Sequence, residues 1–70
     1  MQYKKISILL TTHNANRYIK PQINSILSSI DYYKNYEILI SDDASTDQTL
    51  RILNDYKKKN KNIKIFKNKF

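Results

Sequence analysis

The sequence predicts an α/β domain built as a βαβαβ parallel half-sheet. Three observations carry that prediction. Two short apolar runs, residues 6–10 and 36–40, each end in a cluster of small polar or acidic residues, 11–14 and 41–47. A stretch with helical periodicity follows each cluster, and a third apolar run at 63–66 closes the pattern. Strands alternating with helices of this length imply a parallel sheet with right-handed crossovers.

The first strand is expected over residues 5–11. Its apolar residues are nearly consecutive, as in a strand covered on both faces. The first helix falls between residues 16 and 30, where Ile19, Ile23, Ile26, Leu27 and Ile30 follow the spacing of one helical face. Asn14 or Asn16 is a candidate cap for its start. Pro21 inside a helix would remove a hydrogen bond and clash with the preceding turn. Either the regular helix begins near Lys20, with Pro21 in its first turn, or it is kinked there.

Residues 31–35 are polar and aromatic and read as a connection, followed by a second strand over 37–41. Ser45 and Gln48 have capping-box spacing, and Asp47 then sits in the first turn of a second helix, where negative charge is favoured. That helix is expected over 46–59, with Leu50, Leu53 and Tyr56 as its buried stripe and Ile52 beside it. Lys57, Lys58 and Lys59 complement the negative end of its dipole. The third strand is expected over 63–66. There is no internal repeat beyond the βα alternation, and no linker.

Seventy residues allow one small domain. A chain of this size buries only about 60% of its unfolded surface, so its stability is marginal. It has no cysteine, so neither a disulfide nor a thiolate metal site supports the core. That fits a reducing cytoplasm. No run approaches the roughly 20 apolar residues of a membrane span. Lys4 and Lys5 ahead of the first apolar run faintly resemble a signal peptide, but the run is too short. The expectation is a chain that starts at Met1 and stays in the cytoplasm, with peripheral attachment at the inner membrane face as an option.

The net charge is +7, from thirteen basic and six acidic residues, and much of the excess lies in the lysines between 57 and 69. Such a charge attracts phosphates of a nucleic acid, a membrane surface or a nucleotide. A solvated helix end in a Lys/Asn-rich chain is the favoured explanation, because no arginine cluster or stacking aromatics accompany the lysines. Glycine is absent, which excludes a Walker loop and a G-x-G-x-x-G turn.

Ligands of open parallel sheets bind at the carboxyl ends of the strands. Both polar clusters should lie there, so the chain reads as half of a nucleotide site. Adjacent residues of an extended segment point to opposite sides, so only one of Asp42 and Asp43 should face a ligand. The other is expected to bond backbone N–H groups. Alternatively, both simply shape the turn. His13 is better placed to pack against a ligand than to move protons, since no orienting partner is evident. Alone it also makes a weak metal site. Thr11, Thr12 and Asn14 can bond a base or ribose, or satisfy their own turn.

These residues resemble the N-terminal segment of family 2 glycosyltransferases, inverting enzymes of the GT-A fold, whose N-terminal part is Rossmann-like. The family opens with an apolar strand, a Thr/Ser–Tyr–Asn loop and a helix carrying a Ser-Ile-Leu element. Here these are residues 6–14 and Ser25-Ile26-Leu27. Its second element, strand–Asp-Asp-Gly-Ser-Thr-Asp–helix, is matched by residues 38–47 and continues through Thr49, Leu50 and Leu53. The details around Pro21 and Ser41 look most like bacterial transferases that build surface polysaccharides.

The resemblance implies a partial glycosyltransferase domain over residues 1–70, ending before the family's Asp-x-Asp motif. It implies that Thr11, His13, Asn14, Asp42 and Asp43 form the nucleotide-binding set. Thr11 and His13 would contact the base, Asp43 the base or ribose, and Asp42 would support the loop. The donor would be a UDP- or dTDP-sugar and the acceptor a glycan. Mn or Mg is implied for a full-length member, and none in this segment, whose Asp42-Asp43 pair is not the metal motif. His13 replaces the usual tyrosine, and Ala44 the usual glycine, which adds strain if φ is positive there.

No nucleic acid is implied. The isolated segment should bind the nucleotide part of the donor without turning over. In the family's sheet the first strand lies between the second and a fourth. Without the fourth it becomes an edge open to self-association. Two other readings stand beside this one: a small basic module for RNA or another polyanion, and a ligand-free structural remnant.

Overall fold

The computed structural model describes residues 5–68. Five elements follow one another: β1 (Ile6–Thr12), α1 (Ile19–Ile30), β2 (Tyr36–Asp43), α2 (Thr49–Lys59) and β3 (Ile63–Asn68). The strands form one parallel sheet in the order β1-β2-β3. The βαβαβ half-sheet expected from the sequence is therefore present. The expected start at Met1 and the lysine at 69 lie outside the described residues.

The register explains the core. Ile8 pairs with Ile38 and Leu10 with Ile40, while Ile63 and Ile65 continue those rows on β3. Residues two apart share a face of the sheet. Onto this face α1 lays Ile19, Ile23 and Ile30, and α2 lays Leu53. Ile19, Ile23, Ile38, Ile40 and Leu53 are completely buried. Each such side chain contributes about 1.5–3 kcal/mol of burial free energy. Two crossovers of the same hand in a 1-2-3 order place both helices on the same face.

That arrangement corrects the expectation for the first strand, which is not covered on both faces. Ile6, Ile8 and Leu10 are half-buried, whereas Ser7, Leu9 and Thr11 are exposed, Leu9 by 77%. Both helices cover the opposite face, and among the described residues β1 is an edge strand. The open face carries a shallow apolar depression of about 250 Å³ lined by Leu9, Leu10, Thr11, Leu39, Ser41 and Phe66. Toward the strand starts the same face turns polar. Ser7 Oγ donates to Glu37 Oε2 at 2.6 Å, and Lys5 and Lys64 flank that carboxylate at 3.4 and 3.7 Å. The Ser7 hydroxyl and the two ammonium groups outweigh partial desolvation and hold the Glu37 carboxyl below its ordinary value.

The helix starts also differ from expectation. Neither Asn14 nor Asn16 caps α1. Tyr18 occupies the cap position, and no side chain bonds there. Pro21 is the third residue of α1, inside the first turn, where amide groups have no intrahelical acceptor. The Pro21 question therefore resolves to a first-turn position. Helix α2 begins at Thr49, later than expected, with Gln48 at its cap and no capping box. Asp47 precedes the helix and does not lie in its first turn. It accepts bonds from the Thr49 amide, at 2.9 Å, and from the Thr49 hydroxyl. Ser45 does not cap α2: its oxygen accepts from the Asn14 amide and its hydroxyl donates to Asp42.

Strands β2 and β3 each run two residues beyond the ends expected for them, through Asp43 and Asn68. Asp42 pairs with Lys67 and Asp43 with Asn68, and the Ala44 amide donates to the Asn68 carbonyl at 2.9 Å. Backbone ladders do not depend on side-chain polarity, so polar ends extend a strand that hydropathy alone would stop.

Candidate functional site

The loops after β1 and β2 meet at the carboxyl edge of the sheet, and direct bonds join them. The Asn14 amide donates to Ser45 Oγ at 2.9 Å, and the Thr46 amide donates to Asn14 Oδ1 at 2.8 Å. The Ala15 amide donates to Thr49 Oγ1 at 2.8 Å, and the Asn16 amide to Asp47 Oδ2 at 3.2 Å. Two segments some thirty residues apart in sequence thus form one surface.

Asp42 is the centre of that brace. It is fully buried, and its carboxylate accepts three bonds. Thr12 Oγ1 and Ser45 Oγ each donate to Oδ1 at 2.6 Å, and the Ser45 amide donates to Oδ2 at 3.0 Å. Burial by itself would push the Asp42 carboxyl up. The Ser45 hydroxyl, the Thr12 hydroxyl, the Ser45 amide and the charge at His13 outweigh it and hold the group below its ordinary 3.8. Asp47 is lowered in the same way, its desolvation outweighed by Thr49 and the Asn16 amide.

Asp43 points to the opposite face, as alternation requires. Its Oδ1 accepts from Asn68 Nδ2 at 2.8 Å, and the same amide group donates to Ser41 Oγ at 2.7 Å. Among the described residues no donor engages Asp43 Oδ2. His13 Nδ1 lies on the Asp43 carbonyl oxygen. A carbonyl only accepts, so Nδ1 carries the proton there. That bond pins an exposed imidazole over the end of β2. Thr11 is exposed on the open face and lines the apolar depression.

The five candidate residues therefore divide. Thr11 and His13 are exposed and Asp43 half-buried on the outer rim. Asp42 and the side-chain oxygen of Asn14 are used in joining the loops. Sequence reasoning places Ser41 and Ser45 in the polar cluster without a site role, and it does not reach Asn68. Asn68 was legible only through the register, because it stands beside Asp43 when β3 is extended to match β2.

Two residues of these loops have positive φ, Asn14 at 47° and Ala44 at 49°. Asparagine tolerates that region well, whereas alanine meets a steric penalty from its Cβ. Replacing Ala44 by glycine removes that penalty but gives the unfolded chain more freedom. The expected net gain is about 1 kcal/mol, read as a higher urea midpoint with an unchanged slope.

The described residues contain no group of three or more His, Cys, Asp or Glu side chains placed to hold a metal ion.

Comparison with known proteins adds an independent line. The family model for glycosyl transferase family 2 matches residues 7–70. An uncharacterized glycosyltransferase of Haemophilus influenzae is 40% identical over 65 residues, which is 93% of this chain and 20% of that protein. The poly(ribitol-phosphate) beta-N-acetylglucosaminyltransferase TarS of Staphylococcus aureus is 40% identical over 62 residues, 87% of this chain and 10% of TarS. The crystal structure of S. aureus TarS 1-349 in complex with UDP superposes with a TM-score of 0.78 at 38% identity, covering 93% of this chain and 19% of that one. The chain thus spans a tenth to a fifth of the length of these relatives.

Proposed function

The chain belongs to glycosyl transferase family 2, and from that premise we propose that it forms the half-site gripping the nucleotide part of a UDP- or dTDP-sugar. The full-length protein would transfer a hexosyl group from that donor to a polysaccharide or glycan acceptor. The observation that supports this most directly is the convergence of Thr11, His13 and Asp43 on the rim of two interlocked loops. The solved relative with UDP bound shares this fold at 38% identity.

In this reading each rim residue has a physical task. Asp43, anchored through Oδ1 by Asn68, offers Oδ2 to a ribose hydroxyl or a base N–H. Bonds to a charged acceptor are the stronger kind. His13 presents a flat ring for packing against the base, held by its bond to the β2 carbonyl. Thr11 supplies a hydroxyl at the mouth of the apolar depression. Asp42 keeps the two loops together and touches no ligand.

These tasks are binding and orientation. A divalent Mn or Mg ion, which would offset charge on a leaving diphosphate, is proposed only for the full-length protein, with ligands outside this segment. No catalytic base is assigned here, and the segment alone is not expected to turn over. The test is titration with UDP and dTDP followed by amide NMR shifts. Shifts centred on residues 11–14 and 41–46 are expected. Shifts confined to Lys57, Lys58 and Lys59, or none at all, would overturn the reading in favour of a polyanion module or a remnant.

A cytoplasmic location is part of this proposal. No helix among the described residues is long and apolar enough to cross a membrane. Self-association through β1 also belongs to it, since an exposed parallel edge with unpaired backbone groups recruits further strands. Sedimentation at rising concentration is expected to show dimers or larger species. A monomer that persists across the range would contradict the expectation.

A further inference from the structure

We propose that the end of the sheet opposite the candidate site docks on an anionic phospholipid surface. Parallel strands with returning helices gather the strand starts, the helix ends and the turns at 31–35 and 60–62 at one end of the molecule. That end carries Lys34, the run Lys57, Lys58 and Lys59, and Lys61, all exposed. The nearest acidic side chains are Asp31, Asp55 and Glu37. Glu37 is already paired with Lys5 and Lys64. Five lysines therefore face Asp31 and Asp55. A helix dipole accounts for lysines in the last turn of α2. It does not account for Lys34 or Lys61, which lie on separate turns.

The same end exposes two aromatic rings. Tyr32 is 87% and Tyr33 50% exposed, and the rings meet edge to face with centroids 5.6 Å apart. Among the described residues Tyr32 takes no part in the hydrophobic core. Tyrosine combines an apolar ring with a polar tip, which suits the headgroup level of a bilayer. Lysines beside such rings add attraction to anionic lipid.

Two observations favour a lipid surface over a nucleic acid. Both arginines, Arg17 and Arg51, lie at the other end, in the loop before α1 and the first turn of α2. The basic end therefore lacks the planar fork that reads phosphates and bases in fixed geometry and offers point charges instead. The two tyrosines also pack on each other and do not stand apart as stacking platforms. Docking by this end turns the candidate nucleotide edge away from the bilayer, so both ends can be occupied together. The inference stands apart from the nucleotide reading.

The test is co-sedimentation of the 70-residue chain with vesicles of mixed phosphatidylglycerol and phosphatidylcholine, against phosphatidylcholine alone. Binding to the anionic vesicles only, weakening steeply with salt, is expected. The variant K57Q/K58Q/K59Q should lower partitioning about a hundredfold, and Tyr32→Ser with Tyr33→Ser should lower it severalfold. If the triple change weakens the end of α2, K34Q/K61Q provides a second reading on separate turns, with circular dichroism confirming the fold. Excess glycerol phosphate should not compete, which separates a surface from a free phosphate site. No binding to anionic vesicles would overturn the proposal. So would binding unchanged in both lysine variants, displacement by glycerol phosphate, or tighter binding to polyuridylate than to vesicles.

Discussion

Replacing Asp42 by alanine is expected to unfold most of the protein at room temperature. The substitution strands three donors that have no other partner in the brace: the Thr12 hydroxyl, the Ser45 hydroxyl and the Ser45 amide. Each bond to a charged acceptor contributes about 1.5–3 kcal/mol, and losses within one cluster are not additive, so the expected cost is about 4 kcal/mol. A core of this size rarely supplies more than about 3–5 kcal/mol. Urea unfolding followed by circular dichroism reads the result, and a loss under about 1 kcal/mol would contradict the bracing role. Asp42→Asn should cost less, since it keeps one acceptor oxygen. The same carboxylate sets an acid limit. Its folded-state value lies below the ordinary 3.8, so its contribution is complete above that value and is lost as pH falls through the lowered one. Asp47 acts in the same direction. Wild-type stability should therefore hold from neutrality to about pH 5 and decline in stronger acid.

Replacing Asp43 by alanine is expected to do the reverse, sparing the fold and removing the ligand. The side chain lies on the open face, and Asn68 keeps Ser41 as a partner, so the stability cost should stay under about 1 kcal/mol. Loss of a charged acceptor for a ribose or base donor should weaken UDP or dTDP binding about tenfold to a hundredfold. Calorimetric titration measures this directly. Changing Lys57, Lys58 and Lys59 to glutamine should leave that affinity unaltered. Equal affinity in wild type and Asp43→Ala would remove Asp43 from the site.

Much of this was legible in the sequence, for reasons visible in particular residues. Ile19, Ile23 and Ile30 lie on one helical face, so α1 could be placed from spacing alone. The opposed directions of Asp42 and Asp43 follow from the alternation of any strand. What could not be read was which face the rest of the fold would cover. Ile8, Leu9 and Leu10 look alike in hydropathy, yet Leu9 faces away from both helices, because a 1-2-3 strand order puts them on one side.

Capping was misread for a different reason. Ser45 has the spacing of a cap for α2, but its hydroxyl is oriented onto the buried Asp42 carboxylate and its oxygen accepts from the Asn14 amide instead of a helix N–H. The place of Asn68 depended on strand register, which no local pattern encodes. The strain at Ala44 was foreseeable only as a condition, and the loop meets that condition with φ at 49°.

The most direct measurement is thermal unfolding of the wild type and Asp43→Ala, each with and without UDP and dTDP. A ligand that binds only the folded state must raise the melting temperature. At ten times its dissociation constant, the better of the two nucleotides should raise the wild-type midpoint by about 5–10 °C. The Asp43→Ala midpoint should barely move. A wild-type transition blind to both nucleotides, or an equal shift in the variant, would contradict the half-site.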